Sequence, residues 1–342
     1  MPPYARRVTT TDDSTVTLRP LLHADIPAHN ALLAAVEAVD NTGEHYSEAD
    51  LEEEYANPDV EIGKDVVGAF EGTGPDAELV GYFSVYPRHT DDTYQKIHVE
   101  GAVRPDRRGR GIGAQLVRAM LARADGAHRE KHPDKPAKLT VTGLSANADQ
   151  ADLLTSAGFE AERYSFVMRT VLGQVREPEP LPDGYRMERF DDSWSTAMHA
   201  AHNEAFLDHP NFTTWTDVMW KQWVTDSRNF RPDLSLVVVH EDDPSTVVAY
   251  VQSNEYDAYF EATGRREAYV AKVGTRREHR GKGLAGRLLS YALWGYQQAG
   301  YDEASLDVDS ENPTGALGIY ERAGFAVETR WTDYTLTLPA VS

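Results

Sequence analysis

The hexapeptide Arg-Gly-[Arg/Lys]-Gly-[Ile/Leu]-[Gly/Ala] occurs twice in 342 residues, at Arg108–Gly113 and Arg280–Ala285, with its arginines 172 positions apart. Each copy follows a β-like stretch, IHVEGAV (97–103) and AYVAKV (268–273), and opens a helical pattern. After the first turn Ile112, Leu116, Val117, Met120 and Leu121 share one helix face; after the second Leu284, Leu288, Leu289, Ala292, Leu293 and Tyr296 do so. Each copy then repeats a short strand, an Asn, a short helix and a Gly-Phe pair, in 138–159 and in 304–325. Gly158 and Gly324 lie 166 positions apart, so the first copy holds six more residues, assigned to the polar stretch HREKHPDKP (128–136). Ordered marks at such offsets require a chain that folds twice into one pattern.

The boundary falls in LGQVREPEPLPDG (172–184), rich in Pro and charge and without apolar period. We therefore expect an N-terminal domain over 1–171, a linker over 172–184 and a C-terminal domain over 185–342. Each half reads strand, helical region, two or three strands, glycine turn, helix, strand, short helix, strand. That order predicts an α/β fold with a mixed α+β sheet, mostly antiparallel and twisted, flanked by helices.

Charge and residue usage narrow the function. A formal net charge of −21 argues against nucleic-acid and anionic-membrane partners and fits a cationic or neutral one. The absence of cysteine removes thiolate nucleophiles and thiolate metal ligands. No apolar stretch reads as a signal peptide or approaches the roughly 20 residues of a membrane helix, so a cytoplasmic location is expected. His128 and His132 are read as a charged helix end, and no metal site is expected.

Glycines after a strand and before a helix let the backbone approach a ligand closely. They present unpaired N–H groups where the helix dipole favours a phosphate or pyrophosphate. We assign Arg108, Gly109, Arg110, Gly111, Ile112 and Gly113, and Arg280, Gly281, Lys282, Gly283, Leu284 and Ala285, to anion binding. Neither turn has the closing Lys-[Ser/Thr] of a P-loop. Gly281, Gly283 and Gly286 match the Rossmann spacing, but the turns sit after several strands with hairpin-length spacing.

These residues resemble the GCN5-related N-acetyltransferase (GNAT) superfamily, whose [Arg/Gln]-x-x-Gly-x-[Gly/Ala] turn holds the pyrophosphate of coenzyme A. NPTGALGIYERAGF (312–325) is similar to the family segment in which an Asn lies beside the pantetheine arm and a Tyr is the general acid. The resemblance implies that Asn312 binds coenzyme and that Tyr320 is the acid. Leu154 stands where Tyr320 does, so the first half lacks the acid, and the C-terminal half is expected to be catalytic. The tandem arrangement is similar to actinobacterial enzymes of the mycothiol-synthase type, and AAHNEAFLDHPNFTTW (200–215) resembles their acceptor side.

The chemistry implied is transfer of an acetyl group from acetyl-CoA to the primary amine of a small molecule. The amine must lose a proton, the thioester oxygen needs a hydrogen-bond donor, and the leaving thiolate takes a proton. The family's use of its fourth strand points to a backbone N–H near Val273 or Thr275, with Val103 as counterpart of Thr275 in the first half. Glu267, sharing a period-two face with Tyr269, Ala271 and Val273, and Glu204 in the acceptor region are the candidate bases. The alternatives are acetylation of a cysteinyl pseudodisaccharide or a non-catalytic acyl-CoA sensor. Acyl preference and oligomeric state stay open.

Overall fold

The computed structural model describes residues 16–57, 60–90, 93–209, 212–310 and 316–341. The first half runs β1 (Val16–Pro20), α1 (Ile26–Asp40), α2 (Glu48–Tyr55), β2 (Val66–Glu71), β3 (Glu78–Thr90), β4 (Gln95–Val103), α3 (Ile112–Lys131), β5 (Ala137–Leu144), α4 (Ala148–Ser156) and β6 (Glu160–Val171). The second runs β7 (Tyr185–Arg189), α5 (Ser195–Ala205), α6 (Asp217–Trp220), β8 (Leu236–His240), β9 (Asp243–Asn254), α7 (Asp257–Thr263), β10 (Glu267–Thr275), α8 (Leu284–Gln298), β11 (Glu303–Asp309), α9 (Ala316–Arg322) and β12 (Ala326–Leu338). Helix α3 spans 20 residues against 15 in α8, which absorbs most of the six extra positions. Helix α7 was not apparent in the sequence, because seven residues are too few to display a helical period.

The strands form one 12-stranded sheet in the order β1-β2-β3-β4-β5-β12-β6-β11-β10-β9-β8-β7. The two halves exchange their last strands. Strand β6 ends the first half but pairs antiparallel with β11, from Glu303↔Val171 to Asp309↔Ser165. Strand β12 ends the second half but pairs antiparallel with β5, from Trp331↔Leu144 to Leu338↔Ala137. The exchanged strands also pair with each other, from Ala326↔Arg169 to Thr335↔Glu160. Among the described residues the parallel pairs are β4–β5 and β10–β11.

Each half buries apolar side chains on both sheet faces. In the second half Ala268, Val270, Ala304 and Leu306 pack with Leu284, Leu288 and Leu289 of α8. The opposite face sets Val237, Val247 and Tyr250 against Met198 and Ala201 of α5 and Trp220. The first half repeats this with α3 on one face and α1 and α2 on the other. Among the described residues no helix is long and apolar enough to cross a membrane.

The exchange makes a prediction about the mostly exposed connection 173–184. A single proteolytic cut there should leave two fragments that elute as one particle of intact size, separating only in denaturant. Fragments that part on native gel filtration would contradict the exchange.

Candidate active site

The two glycine turns have one geometry. Gly109 and Gly111 have φ of 77° and 79°, and Gly281 and Gly283 have 75° and 78°, in the left-handed region that glycine occupies without strain. Gly111 and Gly283 are the N-caps of α3 and α8 and carry no side chain to cap them. The amide of Arg280 donates to the Arg277 carbonyl at 3.2 Å, and the next amide used internally is Arg287 to the Gly283 carbonyl. Among the described residues, the amides from Gly281 to Gly286 meet no acceptor. They form an open row at the positive end of α8, and the same holds from Gly109 to Ala114. The open row starts one residue later than the Arg280–Ala285 assignment.

The arginines that open the hexapeptides have other tasks. Arg108 makes a bidentate pair with Asp40 at 2.7 Å for each bond and donates to the Val103 carbonyl. Arg280 donates to Asp208, to the Ala205 carbonyl and to the Thr275 carbonyl. Both side chains thus tie the turn to the end of the preceding strand and to a helical segment. Arg110 lies 3.5 Å from Glu71, and Lys282 donates to the Tyr185 hydroxyl.

Beside the second turn the sheet opens. Strand β10 pairs with β11 only from Glu267 to Tyr269, and then the two strands diverge. Alternate amides of β10 beyond Tyr269 therefore have no partner strand on the β11 side. The β10–β9 register also slips between Val270 and Lys272, so Ala271 is an extra residue. The bulge corrects the period-two reading: Val273 packs toward α8, whereas Glu267 faces the other side. Gly274 lies under the ring of Tyr250, and any Cβ there would collide with it.

On the face away from α8 lies a cavity of about 480 Å³. Its floor is Glu267 and Tyr269 of β10, Ser305 and Asp307 of β11, and Val167 and Arg169 of the exchanged strand β6. Its opposite wall comes from the first half, through residues 42–46 and α2. The structure therefore sets an open amide row on one face and a cavity on the other, with the divergence of β10 and β11 between them.

Tyr320 of α9 packs against the α8-side core, its ring edge-on to Phe325 at 6.2 Å. Burial pushes its phenol up to about 12. Tyr250, in the core on the other face, is raised by its own burial and, after that, by Tyr320. Glu267 is buried and ion-paired with Arg169. Burial pushes its carboxyl above the ordinary glutamate value, and Arg169 opposes the shift. Glu204 is not brought to this cavity. It pairs with Arg276 at 2.6 Å, past the far end of β10. Asn312 lies outside the described residues.

Four side chains were not singled out in the sequence. Arg169 bridges Glu267, Glu303 and Glu328 and stacks its guanidinium on Tyr259. Lys272, half-buried after the bulge, has its ammonium disfavoured by desolvation and favoured by Asp307. Tyr250 bonds His202 Nδ1 at 2.6 Å, and desolvation lowers that imidazole to about 3, so it is neutral. Arg287 lies over Gly283, close to the open amides. Their only sequence signals were helical or strand spacing, which core residues share.

The first half differs at the matching places. Strand β4 also leaves β5 early, after His98, but its register against β3 is regular from Gly81↔Val103 to Pro87↔Ile97. Leu154 fills the place of Tyr320: its carbonyl accepts from Phe159 N–H as that of Tyr320 accepts from Phe325 N–H. It is 3% exposed in the core.

Comparison with known proteins adds to this geometry. Residues 189–325 match the Acetyltransferase (GNAT) family and residues 67–161 an Acetyltransferase (GNAT) domain. A mycothiol acetyltransferase of Nocardia farcinica is 32% identical over 261 residues, covering 73% of this chain and 77% of that one. One from Saccharomonospora viridis is 29% identical over 89% of this chain and 92% of its own. The crystal structure of a GCN5-related N-acetyltransferase from Sphaerobacter thermophilus superposes with a TM-score of 0.77 at 25% identity, covering 96% of this chain and 97% of that one. A tandem GNAT protein from the clavulanic acid biosynthesis pathway shares the fold, with a TM-score of 0.65 at 18% identity over 94% and 98% of the two chains.

Gly283→Val should weaken coenzyme A binding at least about tenfold in calorimetry. A β-branched residue at φ of 78° is strained, and its Cβ crowds Arg287 over the amide row. Unchanged affinity would remove this turn from the binding site.

Proposed function

The chain belongs to the GNAT acetyltransferase family, and from that premise we propose that its C-terminal half moves the acetyl group of acetyl-CoA to the primary amine of a small molecule. The observation that carries the reading is the divergence of β10 from β11, with open amides on one face and the cavity on the other. We take residues 1–171 as the N-terminal unit, 172–184 as linker and 185–342 as the catalytic unit. A second reading, a mycothiol-type acceptor, is supported by the names of the relatives.

Acetyl-CoA, the cosubstrate that membership of the family implies, would lay its pyrophosphate on the amides of Gly281 to Gly286, with Arg287 and Lys282 supplying positive charge. Its thioester would enter the divergence. The amine arrives from the cavity and passes its proton to Glu267, directly or through water. Burial disfavours the anionic form of that carboxylate, and Arg169 favours it. The nitrogen lone pair then adds to the carbonyl carbon. The oxygen becomes negative and takes a backbone N–H of β10 near Val273 or Thr275. As the C–S bond breaks, its electron pair goes to sulfur and the thiolate takes the Tyr320 proton, while the nitrogen gives up its second proton as the amide forms and that proton restores the phenol. A phenol held up to about 12 is protonated at neutral pH, as a donor must be.

Tyr320→Phe should lower kcat by about 10²–10⁴-fold with acetyl-CoA affinity nearly intact, because ring packing survives and only the donor is lost. A full single-turnover rate in the folded variant would exclude it as the acid. Leu154→Ala should cost roughly 2–5 kcal/mol of stability and leave the chemical step unchanged. Glu267 must be ionised to accept a proton, and burial raises its pKa. The acid limb of kcat/KM should therefore lie above the ordinary glutamate range and vanish in Glu267→Gln. A limb that persists in that variant would assign the base elsewhere.

A further inference from the structure

The cavity joins the two halves, and its charge is one-sided. The cation on its floor, Arg169, is already shared by Glu267, Glu303 and Glu328. Asp50 on the rim is satisfied by Arg228 and Asn229. The wall from the first half brings Glu44 and Glu54. Glu54 is hydrogen-bonded by the Tyr86 hydroxyl, and Glu44 has the Tyr46 phenol. Among the described residues neither is paired with a cation. Glu54 is half-buried and Glu44 exposed, and both line the cavity.

Burial raises both carboxyls first, and repulsion from Glu100 adds to it, with Asp307 acting on Glu44 as well. Glu44 is pushed up to about 7 and Glu54 to about 8. Aromatic side chains line the same cavity, Tyr46, Trp223 and Tyr256 together with Tyr269 of the floor. Carboxylates beside aromatic faces bind organic ammonium groups, by charge and by the ring quadrupole. Glu44 is close enough to feel Asp307, which lies across the divergence from Lys272. One small molecule can therefore present a group to the floor and another to this wall.

Building on the acceptor reading above, we propose that the acceptor carries a second positive charge, and that Glu44 and Glu54 of the N-terminal half hold this second ammonium while the first amine reacts beside Glu267. The first half is then the specificity wall of the second half's reaction, whether or not its own glycine turn is occupied. An ammonium here relieves the repulsion between the two carboxylates, which a neutral hydroxyl cannot do.

The probes are 1,4-diaminobutane and 4-aminobutan-1-ol, similar in length and reacting amine but differing in the remote group. The diamine should show a kcat/KM at least about tenfold higher, falling as salt rises. In Glu44→Gln/Glu54→Gln the preference should collapse, with acetyl-CoA affinity and thermal midpoint kept, since removing like charges does not destabilise the wall. Equal kcat/KM for both amines, or a preference that survives the double variant, overturns the proposal. Turnover of neither amine would count against the proposed reaction, and calorimetry with 1,4-diaminobutane then decides this inference separately. Binding that the double variant loses upholds it, and no binding overturns it.

Discussion

The antiparallel ladder between β6 and β12 holds the molecule together. A final strand that stayed in its own half would leave two separate sheets. Here each final strand hydrogen-bonds to the fifth strand of the other half, and the two pair with each other at the seam. The halves therefore share one continuous backbone network. The same crossing brings Arg169, a residue of the first half, beside Glu267 in the second. It also sets residues 42–46 of the first half across the cavity from β10 and β11.

The ion cluster at the seam follows from that crossing. Glu267 and Glu303 are both buried, and two adjacent buried carboxylates repel each other. Arg169 stands between them, reaches Glu328 as well and stacks on Tyr259. Arg265 pairs with Glu303 at 2.6 Å from the other side. A cluster of this kind adds little net stability over an apolar one, but removing one member leaves a buried charge without its partner. It fixes the position of one carboxylate at the point where the cavity meets the divergent strands.

The halves keep one fold and differ in local detail. Both retain the glycine turn, the open amides and an arginine tying the turn down, through Asp40 in one and Asp208 in the other. They part at the bulge and at the helix before the Gly-Phe pair. Ala271 turns Val273 toward α8 and leaves Lys272 on the cavity side, whereas β4 runs regularly. A phenol on α9 is replaced by a leucine buried in the core of the first half. Loss of the polar group suits packing there, since a buried hydroxyl without a partner is costly.

The amino-acid sequence by itself determined the repeat, the glycine turns, the helices that follow them, and the pairing of Tyr320 with Leu154. These are local properties: φ above zero needs glycine, and a helix face needs apolar residues at fixed spacing. Only the tertiary structure decided which strands became neighbours. An amphipathic strand such as β6 or β12 carries no mark of its partner, because backbone ladders are the same for every strand. The bulge at Ala271 was hidden for a related reason: one inserted residue flips every later side chain and leaves the composition unchanged. The arginines read as anion ligands were claimed by Asp40 and Asp208, which lie 68 and 72 positions earlier and are brought near by folding alone. Nothing in the sequence marked Glu44 or Glu54. They face the cavity because the exchanged strands fold the two halves against each other.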